Sequence, residues 1–525
     1  MAFRRRKLLV FLGMLSAACT VAPSGSAVVP TATTEQRAEQ QVLRVAQKTL
    51  VTNLTPQASP LEFPTYWALY DNLLQFADQN YRPEPSVATR WEVGGDGRSW
   101  RFTIRNDLKF SNGDPLTAED IAFSLLELKQ RNWPNAGNFV SVTAARAVDA
   151  TTVEMTTTQP DMSVPNAVTL LWILPRRSYE AAGGFDGFRA RPIGSGPYEV
   201  VEFRPGDLIR FRKRTDGHPF RQPIAEELIF RAIPENAQIL NGLRSGEVDV
   251  ALGVNWLGDQ ANQLKSLGMQ LLAFPLAYNG IFMPWGLFEV KPTPLKEVRV
   301  RQALNYAIDR ERLARSFFAG YAEPANQDAI PGSLYYLPTA PKIPYDPAKA
   351  KQLLAEAGYS QGFKLTMDYT ISQTPPEIAV AVQSFLREIG VEVELSQLEQ
   401  AVFVDKAFGR NNLLKGDLWA GRNRDTLGFG PSRAGIGCGK PVGAPPTTVN
   451  YCNPEWDRLM DLAYAERDPQ RRQQLLQQAN QVELNDWASI FLLIEPGFVA
   501  ATSRVRGVVI QHSAYHKLDS FYLVR

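Results

Sequence analysis

Histidine and cysteine are scarce in this sequence, with three of each in 525 residues. His218, His512 and His516 have no ligand spacing to Cys438 or Cys452, so the sequence offers no metal site. Three catalytic signatures are missing too: a Gly-x-Ser-x-Gly elbow, a His-Glu-x-x-His pair and a phosphate loop closing on lysine. The neighbouring carboxylates Glu119-Asp120 and Glu226-Glu227 read as capping or solvated groups. The expectation is therefore a protein without catalytic residues, cofactor or metal, an exported hydrolase being the alternative. No internal run approaches the ~20 apolar residues of a membrane-spanning helix. Neither sign of charge dominates, with 56 Lys+Arg against 54 Asp+Glu, and four of the basic residues, Arg4, Arg5, Arg6 and Lys7, lie at the extreme N-terminus. Without them the chain is slightly acidic, which excludes nucleic acid as a partner.

What the chain does have is length, enough for two or three domains. The basic cluster at its start is followed by a mostly apolar stretch, 8–18, and then by small residues leading to Cys19, which fits an export signal over 1–18. A cysteine straight after small residues resembles a bacterial lipobox, in which Cys19 is lipidated and anchors the protein to a membrane. Leu15 stands four residues before the cysteine instead of three, so ordinary signal-peptidase cleavage nearby is the alternative. Residues 19–42 are small, polar and proline-containing, a composition that cannot bury a core and reads as a tether. In an exported protein Cys438 and Cys452 are expected to close a disulfide around a Gly/Pro-rich segment, free thiols being the alternative.

The segment 87–126 is the most explicit. Trp100, Phe102 and Ile104 alternate with polar residues as in a strand with one buried face. Asp96-Gly97 turns that strand back onto Trp91 and Val93, and Asn112-Gly113 turns the chain again. Thr117 and Asp120 then open a helix with Ile121, Leu125 and Leu128 on its apolar face. Further on, Val300, Ala303, Leu304, Ala307 and Ile308 form a helical stripe, Asp346-Pro347 starts another helix that Gly358 ends, and Asn453-Pro454 and Asp468-Pro469 start two more. A helix is also expected over 66–76 and a buried strand over 490–494. The glycines of Gly194-Ser195-Gly196-Pro197-Tyr198 read as a turn needing unusual backbone angles.

The order Trp, Asp-Gly, alternating strand, Lys-Phe, Asn-Gly-Asp-Pro, Thr-Ala-Glu-Asp, Phe-Ser resembles the signature of the extracytoplasmic solute-binding proteins of the peptide/opine/nickel class, family 5, the receptors of ABC importers. GSGPY, LRSGEVDVAL, PLKEVRVRQALNYAIDRERL and YDPAKAKQLLAEAGY follow in the order that family shows, from about residue 43 to 525. The resemblance implies an α/β, two-lobed periplasmic-binding-protein fold (type II, cluster C) with an extra α/β subdomain on lobe I. It divides the chain into lobe I (43–70, 190–278 and 495–525), an accessory subdomain (71–189) and lobe II (279–494). It implies a monomeric receptor, periplasmic or on the outer face of the cytoplasmic membrane, that passes a small peptide or peptide-like solute to an ABC permease and ATPase. A nickel chelate, haem, opine or oligosaccharide is an alternative solute, and a signalling partner an alternative destination. The resemblance also places ligand contacts at Asn53, Tyr278, Trp419, Arg422, Arg424 and Asp425. The family commonly carries an aspartate for a peptide's α-amino group after that tryptophan; here Arg422 stands three residues after Trp419, which points to an anionic or amine-poor ligand. Internal pairing of Arg422 and Arg424 with Asp417 or Asp425 is the competing expectation.

Overall fold

Two long strands, Gln270–Phe282 and Ser489–Ala501, lie antiparallel at the middle of an eleven-stranded sheet. The computed structural model describes residues 36–58, 63–77, 80–254, 256, 259–283, 292–371, 373–399, 402, 416–423, 428–429, 451–510 and 518–525. Every residue of Ser489–Ala501 is buried, as expected of a strand covered on both faces and written as a nearly continuous apolar run. The strand extends well beyond the expected 490–494 because its second half pairs in the other lobe.

On one side of this pair lie Val250–Leu252, Val42–Gln47, Glu227–Ala232, Leu208–Lys213 and Tyr198–Arg204, in that spatial order. On the other lie Leu418–Asn423, Phe363–Tyr369 and Val391–Gln397. The long strands thus belong to both lobes. Where they pass from one to the other, Pro275 faces Pro496 and the register slips before Ala277. Proline has no N–H, so the ladder loses donors from both strands at one level.

Lobe II carries helices on both faces of its sheet. Val298–Tyr306, Arg310–Phe318, Pro347–Glu356 and Pro376–Glu388 bury Val300, Leu304, Leu313, Leu353 and Leu386 against one face. Pro454–Ala465 and Pro469–Asp486 bury Trp456, Leu459 and Leu476 on the other, with Phe491. Side-chain caps start three of these helices ahead of a proline: Asp346 accepts from the Lys349 amide at 2.8 Å, Asn453 from that of Glu455 at 2.9 Å, and Asp468 from that of Arg471 at 2.7 Å.

A four-stranded antiparallel sheet, in the order Ala88–Val93, Ser99–Ile104, Thr152–Thr157, Val142–Asp149, stands apart with the helix Ala118–Gln130. Its own core contains Trp100, Phe102, Ile104, Ile121, Leu125 and Leu128. The Asp120 carboxylate accepts from the amide and the hydroxyl of Thr117 at 2.8 and 2.9 Å, fixing the helix start.

Two expectations need correction. The helix expected over 66–76 runs over Phe63–Leu69 and gives way to a strand, Leu74–Phe76. Asp71 is drawn instead into a buried cluster, accepting from Ser195 Oγ at 2.9 Å and Arg221 Nη1 at 3.1 Å, with His218 Nε2 at 3.1 Å. The glycines of 194–196 are needed for close approach: a Cβ on Gly194 would sit 1.8 Å from the Leu69 carbonyl oxygen, and one on Gly196 2.6 Å from the Leu69 carbonyl carbon. Neither has a left-handed φ.

Candidate functional site

In sheets built from parallel strands, ligands collect beyond the strands' C-terminal ends. In lobe I, Val42–Gln47 runs parallel to both Glu227–Ala232 and Val250–Leu252. In lobe II, Phe363–Tyr369 runs parallel to Val391–Gln397 and Leu418–Asn423. Leu252 ends opposite Val499 and Asn423 opposite Tyr278, so the two sets of strands point at each other across the Pro275–Pro496 level. The loops leaving those ends, 48–58 and 370–375, therefore flank one cleft whose floor is the crossing pair.

On the lobe II side of the crossing, aromatic side chains pack on the strand face covered by Pro454–Ala465 and Pro469–Asp486. Trp419 is buried and stacks on Phe282, with centroids 4.7 Å apart. Tyr278 meets Phe282 edge-on at 5.9 Å and tilts against Phe491 at 6.1 Å. Burial, with the charges of Asp328 and Glu483, pushes the Tyr278 hydroxyl well above its ordinary value, so it stays a neutral donor.

The opposite face of the same strands carries a charged group. Arg422 Nε lies 2.6 Å from Glu495 Oε2, and the carboxylate is 1% exposed. Asn279, directly across the ladder from Arg422, donates to the other carboxylate oxygen at 2.9 Å. The Arg422 amide donates to Gln373 Oε1 at 3.3 Å, tying the strand end to the loop beyond Phe363–Tyr369. Arg422 thus ends its strand in an internal pair with Glu495, a carboxylate that was not among the expected partners.

Asn53 shapes its loop, its Oδ1 accepting from the Thr55 amide at 3.0 Å. Arg424, Asp425, Cys19 and Cys438 lie outside the described residues. Cys452 is in disulfide linkage.

Glu495 and Asn279 were not among the expected site residues. A signal existed, because Glu495 is the one charge inside the buried stretch IFLLIEPGFVAA, and a carboxylate there needs a partner. In the same core as Trp419 and Tyr278, Trp456 Nε1 donates to Tyr335 Oη at 2.8 Å and that hydroxyl to Glu483 Oε2 at 2.7 Å.

The cluster at Asp71 contains serine, histidine and aspartate but cannot work as a nucleophilic triad. Ser195 and His218 both turn to the same carboxylate, and the Arg221 amide donates to His218 Nδ1 at 3.1 Å, fixing Nε2 as the protonated nitrogen. Burial pushes the Asp71 carboxyl up, but His218, Arg221 and Ser195 together outweigh it and hold it well below the usual carboxylate range. Arg221 also pairs with Asp519 at 2.7 Å, binding the C-terminal segment to lobe I. Among the described residues no group of three His, Cys, Asp or Glu is placed to hold a metal ion, and no helix is long and apolar enough to cross a membrane.

Residues 82–428 match the family of bacterial extracellular solute-binding proteins, family 5 middle. Among curated relatives, heme-binding protein A of Haemophilus influenzae is 26% identical over 487 residues, 86% of each chain. Glutathione-binding protein GsiB of Salmonella typhimurium is 26% identical over 461 residues, 84% of this chain and 86% of that one. The dipeptide-binding protein of Escherichia coli K12 is 24% identical over 485 residues, 86% and 88%. Among solved structures, the periplasmic binding protein DppA of Helicobacter pylori with the peptide STSA superposes with a TM-score of 0.76 at 21% identity, over 92% of this chain and 98% of that one. NikA of Brucella suis with Fe(III)-EDTA does so with a TM-score of 0.78 at 20% identity, over 92% and 99%. Both likenesses are to the fold: two α/β lobes sharing crossing strands.

Proposed function

The chain belongs to the bacterial extracellular solute-binding proteins of family 5, and on that premise we propose that it is the receptor of an ABC importer, capturing a small peptide or peptide-like solute between its lobes and handing it to the permease. The observation that carries this reading is the convergence of two opposed sets of strand ends on one proline-marked crossing. Relatives named for glutathione and for dipeptides support the peptide class. Closure would strip water from the solute, strengthening each matched polar contact and penalising each unmatched charge.

In this reading lobe I comprises 43–70, 190–278 and 495–525, lobe II 279–494, and the accessory subdomain 71–189, whose separate core supports the division. The protein works as an exported monomer without enzymatic activity, its leader 1–18 removed, Cys19 lipidated and the segment after it acting as the tether; the expected tether bound of 42 is too late, because Ala38 and Gln41 already hydrogen-bond the Leu523 backbone. Cys438 is the disulfide partner of Cys452. Cys19→Ser would then move the protein from the membrane fraction to the aqueous phase on detergent partition; unchanged partition excludes the lipid anchor.

Native mass spectrometry of the mature protein, followed by thermal-shift titration with di- to pentapeptides, tests the receptor reading. A bound solute raises the melting midpoint by mass action. Turnover of a bound peptide, or no response across the peptide set, overturns it.

A further inference from the structure

The Arg422–Glu495–Asn279 group sits where strand Leu418–Asn423 ends at the cleft, with Arg422 13% exposed and Glu495 sealed behind it. A carboxylate that deep survives only beside a cation, and Arg422 Nε supplies it at 2.6 Å. The pair is electrically neutral. A ligand carboxylate brought to the guanidinium would therefore compete with a buried carboxylate already paired there. The Asn279 side-chain oxygen is also buried, with no hydrogen-bond partner among the described residues.

We propose that Glu495 is a specificity-determining residue: by neutralising Arg422 it bars anions from this point of the cleft, so the end of the solute seated there is uncharged, such as an amide or acyl-blocked terminus. The arginine by itself suggests an anion site; the residue behind it reverses that preference. The inference rests on the cleft being the capture site, but its test needs no knowledge of the physiological solute.

Sodium acetate, a bare carboxylate, is titrated against sodium chloride of equal ionic strength, with the melting midpoint and tryptophan fluorescence as readouts. Wild type should respond alike to both salts. Glu495→Gln keeps the shape and an oxygen for Asn279, and should bind acetate saturably, at least about tenfold tighter than wild type, the order of one recovered charge-assisted contact. Glu495→Gln/Arg422→Gln should lose that gain. Should Glu495→Gln not fold, Arg422→Gln alone gives the converse measurement, a gained response to ethylammonium at the uncovered carboxylate. Wild type binding acetate as tightly as the variant, or neither single variant gaining its ion, overturns the proposal. A peptide screen without hits would sink the receptor reading while leaving the acetate result to stand or fall separately.

Discussion

Glu483 is a buried carboxyl whose titration bears directly on stability. Burial, with the negative charge of Asp486, lifts it from the ordinary 4.5 to about 7 against the opposing hydrogen bond from Tyr335. Between those values the folded chain holds a proton that the unfolded chain has released, so unfolding releases protons and stability falls as pH rises. Above about 7 the fold carries a buried anion. Glu483→Gln keeps an acceptor for Tyr335 and removes the titration. It should match wild type at mildly acidic pH and be more stable at mildly alkaline pH, by roughly 1–3 kcal/mol. Melting midpoints measured across that range check this; parallel curves for the two proteins would show that Glu483 is ionised throughout.

Two elements from different parts of the fold meet at the turn between Pro454–Ala465 and Pro469–Asp486. Arg467 Nη2 donates to the carbonyls of Gly94 and Gly95 at 2.5 and 2.9 Å, and the Met162 amide donates to the Tyr464 carbonyl at 2.6 Å. The accessory hairpin is thereby fastened to the helical face of lobe II. Because the Arg467 contacts to Gly94 and Gly95 are exposed, Arg467→Ala should cost less than about 1 kcal/mol of global stability. The amides of the 94–97 turn should nonetheless exchange with solvent markedly faster; unaltered exchange would show that the contact restrains nothing. Elements of this kind also show what could be read in advance. The 87–126 hairpin and capped helix, and the helices opened by Asp346, Asn453 and Asp468, are written in residues a few positions apart, so local spacing suffices. The segment 66–76 departs from its helical pattern because Asp71 answers to Ser195, His218 and Arg221, far away in sequence. The charge logic of Arg422 follows the same rule, since Glu495 lies two strands over, beyond Gln270–Phe282, and Asn279, which also bonds it, is 216 positions away from it.

At the scale of the whole molecule, a single sheet runs through both lobes, an arrangement that would ordinarily make them melt together. The facing prolines, Pro275 and Pro496, oppose that outcome. With neither residue able to donate, the two strands that join the lobes are least bonded to each other at the same height, and disorder beginning in one lobe meets few hydrogen bonds through which to spread. Calorimetry of the empty protein should therefore resolve two transitions, one per lobe, and a solute bridging the cleft should merge them into one at higher temperature. A single transition in the empty protein would show that the lobes are already coupled. If the two heat peaks fuse, the crossing works as a thermal break that only the cargo closes, and the degree of fusion measures how firmly a given solute joins the halves.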